Sequence, residues 1–233
     1  MHRRPKSARE LADELHSSPD WAARASAIEH KRLANVKRYA SAAEPLLSEL
    51  RAAGYTVGSV GELLHGWGRY EDAIPILVSC LPRINYPPLR EDVVRALSVP
   101  WARQALPALI KAFRTVPPDQ DPTGTGLRWA IGNALEILAD KSSLPELIEL
   151  ARDASFGRAR QMVVLGLAKP RDPRAIATLV ELLDDEDVAG HAAMALGRLR
   201  AKQARVPLER LASEASVPWI RSEAAKAVAK ITG

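Results

Sequence analysis

The chain repeats itself, and a period of about 30 residues leaves few folds open to it. Six segments, AAEPLLSEL, DAIPILVSCL, QALPALIKAF, SSLPELIEL, RAIATLVELL and ARVPLERL, share one pattern. A small or polar residue leads, an apolar residue follows, often just before a proline, and a leucine-rich turn comes next. The aligned positions are Pro45, Pro75, Pro107, Pro145, Ala177 and Pro207, spaced by 30, 32, 38, 32 and 30 residues. Proline at such a place predicts the first turn of a helix, where its missing N–H costs nothing.

Each of the last five segments is followed by a second helical pattern: LREDVVRAL, LRWAIGNAL, ARQMVVLGL, AGHAAMAL and IRSEAAKAV. With Arg90, Arg128, Arg160, Ala189 and Arg221 as position zero, positions −1, +3, +4 and +7 are nearly always apolar or small. That spacing is the period of a helix burying one stripe. The unit is therefore two antiparallel helices, and since no unit can bury its stripe alone, neighbours must stack. The fold class expected is all-α: a right-handed α-solenoid of five to six helix pairs. The longest unit carries an insertion, PPDQDPTGTG at 117–126, whose composition marks a loop. Composition agrees, with 47% hydrophobic residues for a core and only 5% aromatics, a poor mixture for strands.

The stretch DDEDVAGHAAMALGRL at 184–199 resembles the short HEAT-like repeats of the phycobilin-lyase type in its acidic turn, its valine, its AAxALG core and its closing basic residue. The resemblance covers roughly 73–233, with a degenerate unit at 41–66, and it implies architecture rather than activity. GRYEDAI at 68–74 is the one phrase that favours tetratricopeptide repeats, and the constant period those require is absent.

Residues 1–40 read as a basic helical cap and 41–233 as one continuous repeat domain. A short helix is expected at 7–16, and SPDW at 18–21 signals a second one running to about Tyr39. A terminal repeat needs such a cover on its outer face. The first 40 residues carry a net charge of +4 out of the total of +5. Arg24, Lys31 and Arg38 recur every seven residues and share one helix face. They read either as a phosphate-contacting stripe or as a solvated face beside Glu29, and dispersed charges favour the latter.

Little else suggests chemistry. His2, His16, His30, His65 and His191 form no HxxxH or HExxH pair, so no metal site is expected. There is no phosphate-binding GxxxxGK[ST] loop and no GxSxG elbow; GYTVGSVG at 54–61 and GTG at 124–126 read as turns. Cys80 lies alone in a leucine-rich helix, where a buried, inert thiol is expected. No run of 18 apolar residues predicts a membrane span, and the basic start lacks the apolar core of a signal peptide. The expectation is a non-enzymatic cytoplasmic protein without a cofactor.

Two sets of residues remain. Arg90, Arg128, Arg160 and Arg221 recur at one helical position; they read either as a ladder gripping phosphates or an acidic peptide or, more strongly, as structural partners of carboxylates of neighbouring turns, Asp121, Asp153 and Asp187 being placed to serve. The second set comes from the helical wheel of the second helices, which in solenoids line the concave face. Positions +1, +2 and +5 point away from the buried stripe. They place Trp129, Asn133, Gln161, Met162, Leu165, His191 and Met194 on an apolar strip between charged ends. Tryptophan anchors and adaptable methionines suit a protein or peptide partner. The same positions carry Arg95 and Lys226 against Glu91, Asp92 and Glu223. That balance is wrong for gripping nucleic acid, which would fall instead to the basic N-terminal segment.

Three functions follow. The leading one is a scaffold that holds a protein or peptide on the concave strip. The second is a nucleic-acid-binding protein; alkylpurine DNA glycosylases built of HEAT-like repeats are similar in size and architecture, but their aspartate and tryptophan site has no counterpart here. The third is a bilin-lyase-like chromophore-binding protein, implied by the resemblance alone, with His191 as a possible pocket residue.

Overall fold

A computed structural model describes residues 7–16, 18–123 and 125–233. His2 and Gly124 lie outside them. The described residues are helical and contain no strand. The chain divides into two compact units, Met1–Glu44 and Pro45–Gly233.

The first unit holds α1 (Ala8–His16) and most of α2 (Pro19–Ala52). Ser7 opens α1 with a capping box: its hydroxyl accepts from the Glu10 N–H while the Glu10 carboxylate accepts from the Ser7 N–H. Pro45 departs from expectation. It lies inside α2 rather than in the first turn of a new helix, and the two units part at this residue. A proline there removes the hydrogen bond to the carbonyl four residues back.

The second unit continues from Pro45 through α3 (Glu62–Gly66) into five helix pairs. The first helices are α4 (Ala73–Cys80), α6 (Leu106–Thr115), α8 (Leu144–Arg152), α10 (Pro173–Glu181) and α12 (Arg205–Glu214). The second helices are α5 (Pro87–Leu97), α7 (Leu127–Leu138), α9 (Gln161–Gly166), α11 (Ala189–Leu199) and α13 (Pro218–Thr232). Each first helix packs on its own partner, and the second helices pack in sequence from α5 to α13, forming one layer of a stack. Pro107 and Pro145 occupy the first turns of α6 and α8, where helix starts tolerate proline. The core between the layers is mainly leucine, valine, isoleucine and alanine, including Leu77, Leu109, Ile131, Leu147, Val163 and Leu196, all fully buried. The small residues of α11 and α13 let those two helices approach closely, so that a Cβ on Gly197 would stand 3.0 Å from the Ala227 Cα. Tyr70, at the start of the first pair, is buried and donates its hydroxyl to the Ala96 carbonyl; burial pushes its pKa up to about 12.

The 117–126 insertion lies between α6 and α7 and serves the second helix. Asp121 is buried, and its carboxylate accepts from the N–H groups of Gly126 (3.0 Å) and Arg128 (2.7 Å). These are the unpaired donors at the start of α7.

Candidate partner-binding face

The recurring arginines bond chiefly to backbone carbonyls, and the carboxylate pairing expected of them is met at Arg160. Arg128 donates to the carbonyls of Phe113 (3.1 Å) and Val116 (2.5 Å), at the end of α6. Arg160 donates to Ala151 (3.0 Å), at the end of α8, and to Gly157. Arg221 donates to Ala215 (2.6 Å) and Ser216, just past the end of α12. In three pairs, then, the arginine of the second helix closes the C-terminus of the first, where helices leave carbonyls unpaired and the dipole favours a cation. Of the carboxylates expected as partners, Asp121 caps α7 and Asp153 accepts from the Ser155 N–H (3.0 Å), while Asp187 lies 3.5 Å from Arg158. Arg160 alone among the four adds an ion pair, with Asp185 of the next unit at 2.8 Å. The arginine spacing made the position legible, but the acceptors are backbone atoms, which carry no sequence signature.

These arginines hold the second helices in place, and the second helices carry the strip. Trp129, on the first turn of α7, is exposed (36%). Asn133 lies one turn on, and its side-chain amide donates to the Trp129 carbonyl. Met162 of α9 is half-buried beside Gly132 of α7. Gln161 reaches across to donate to the Asp187 carbonyl at 3.0 Å, tying α9 to the entrance of α11. His191 and Met194 of α11 are half-buried.

Leu165 does not belong to the strip. It is buried (5%) rather than outward-facing. The wheel assumed a regular α-helix from Arg160, whereas residues 154–160 form a 3-10 turn and α9 has only six residues, so the 100° step does not carry through. Gly166 also lets α9 come close to α7: a Cβ there would stand 3.1 Å from the Glu136 Cα. A leucine beside that contact is enclosed.

Sequence reasoning missed Trp219. Its indole, 44% exposed, lies against Gly190, where any Cβ would overlap the ring. The His191 ring packs against it at 5.2 Å. Burial lowers the His191 pKa below its ordinary 6.5, opposed by the nearby Glu223, and Nδ1 is buried without a hydrogen-bond partner. The available signal was Gly190, a residue with no side chain where α7 carries Trp129.

Arg24, Lys31 and Arg38 are exposed on α2. Glu29 pairs with Arg32 at 2.7 Å rather than with Lys31. Cys80 is buried, and that burial raises its thiol pKa above the ordinary value, with Glu49 acting in the same direction. No group of three or more metal-ligating side chains is found among the described residues. No helix among them is long and apolar enough to cross a membrane.

Paired helices stacked in register, with an arginine of the second helix closing the first in three of the five pairs, define an α-helical repeat protein. Residues 106–189, from α6 to the start of α11, match the family model for HEAT repeats. The repeats within 106–189 are HEAT-like, and HEAT repeats are commonly protein-interaction scaffolds. No curated protein matches the sequence.

Proposed function

We propose that the protein is a non-enzymatic scaffold that holds a protein or peptide segment on the face of its second helices. The observation that carries this reading is the exposed Trp129, followed along α9, α11 and α13 by Met162, His191, Met194 and Trp219. An aromatic anchor beside adaptable thioethers suits an apolar side chain on a partner. The polar groups within the strip support the same use. Asn133 and Gln161 are engaged with backbone carbonyls and so hold their helices in place. The strip is one of binding groups, with no carboxylate pair or activated nucleophile among the residues that form it.

The test is affinity capture from host extract with the wild type and Trp129→Glu, each with and without nuclease. A defined protein retained by the wild type, lost with the charged variant and indifferent to nuclease is the expected result. Capture that depends on nucleic acid and ignores Trp129 would overturn the reading and transfer the function to Arg24, Lys31 and Arg38.

A further inference from the structure

The first helices are tied together by arginine–carboxylate pairs, and one junction lacks its pair. Arg114 of α6 meets Glu149 of α8 at 2.8 Å, and Arg152 of α8 meets Glu181 of α10 at 2.6 Å. In both, the arginine stands seven residues after the aligned Pro107 or Pro145, and the glutamate four residues after Pro145 or Ala177. Glu49 pairs with Arg83 before these junctions, and Asp184 with Arg210 after them. Between α4 and α6 the equivalent positions hold Pro82 and Lys111, so the arginine is missing and the acid is replaced by a cation. No ion pair joins the two helices there among the described residues.

A cavity of about 360 Å³ opens at this junction, lined by Val78, Leu81, Pro82, Ala108, Ala112 and Thr115 together with two cations, Arg90 and Lys111. No carboxylate lines it. Arg90 holds the position whose arginine closes the first helix in three other pairs. Here its Nε is buried without a hydrogen-bond partner, and burial lowers its pKa. Arg90 and Lys111 thus bring two cations to an apolar cavity whose lining holds no carboxylate to pair with them, and an anion would supply that partner. The volume falls in the range of small-molecule sites, which are mainly apolar with a few converging polar groups.

We propose that this cavity binds a carboxylate carried on a short aliphatic body, the ligand supplying the acid that no lining residue provides. The aliphatic lining takes the body, and Arg90 and Lys111 take the charge. The site lies among the first helices and does not depend on the Trp129 strip.

The probe is octanoate, titrated into the full chain while the amide signals of Ala108, Ala112 and Thr115 are followed by NMR. Octanol and inorganic phosphate are run beside it, with a capped Leu-Glu-Leu peptide as a second source of the same carboxylate. The expected result is saturable shifts with octanoate or the peptide, whichever binds tighter naming the source. Octanol and phosphate should each be weaker by about tenfold or more. Lys111→Glu, an exposed substitution that restores the acid of the other junctions, should weaken binding by a similar factor without altering the circular dichroism. Absence of saturable shifts from both carboxylates, equal binding of octanol or phosphate, or undiminished binding in Lys111→Glu would each overturn the proposal.

Discussion

Arg160 and Arg90 occupy the same position of their repeats and meet opposite surroundings. Arg160 is fully buried (1%), donates to two backbone carbonyls and pairs with Asp185 of the next unit. Arg90 borders a cavity with its Nε unpartnered. The two share a residue type and a helical address, so the difference lies in what the adjoining turns present. In the Arg160 unit, the turn at Gly157 and the end of α8 supply carbonyls, and Asp185 supplies a charge. In the Arg90 unit, α4 runs into a 3-10 turn through Pro82, and the cavity beside the arginine is lined by no carboxylate. One repeated residue thus serves as a structural tie in one unit and is left open in another.

Substitution should separate the two sharply. Arg160→Ala leaves Asp185 and two carbonyls without their donor and should cost about 3 kcal/mol in urea unfolding. Arg90→Ala removes a buried donor that has no partner, and its cost should stay below about 1 kcal/mol. Equal losses would break the comparison. Arg128→Ala sharpens it as an intermediate: two carbonyls lose their donor and the guanidinium leaves the Phe156 ring, 5.2 Å away. A loss of about 2 kcal/mol is expected.

Smaller effects are expected where the contact lies at the surface. Gly190→Ala forces the Trp219 indole off α11, but the ring can swing into solvent. The cost should be about 1 kcal/mol, at the low end for overpacking, with a red shift of tryptophan emission. An unshifted spectrum would contradict the placement of Trp219. The smallest effect is the titration of His191. Its pKa is lowered in the folded chain, chiefly by burial, so the unfolded chain takes up the proton first as pH falls. Stability should therefore be complete above about pH 6.5, decline as pH drops through that value towards the folded pKa, and then level off for this residue. Comparing urea midpoints at about pH 7.5 and about pH 5 for the wild type and His191→Gln isolates the effect; an equal slope in both would remove it.

The architecture was legible because periodicity reports burial directly. The prolines at 107 and 145, the small residues of 189–197 and the recurring arginines all sit where the repeat places them. Three features were not legible, each for a physical reason. Leu165 follows a 3-10 turn that resets the helical angle, which a wheel cannot show. The arginines bond to carbonyls, which every residue possesses, so their acceptors leave no mark on the sequence. Trp219 reaches the strip from the first turn of the last helix by lying across Gly190, and a wheel confined to one helix ignores such a crossing. Pro45 inside α2 shows the converse, a local signal that the surrounding helix overrides.

The central claim is that partners dock on the face of the second helices. Its most direct test places a photo-crosslinking amino acid, p-benzoylphenylalanine, at position 129 and, as a control, at position 206, where Val206 is 72% exposed on α12 among the first helices. The account predicts one protein adduct in host extract from position 129 and none of that mass from position 206. Identical adducts from both positions, or a partner captured from position 206 alone, would contradict it.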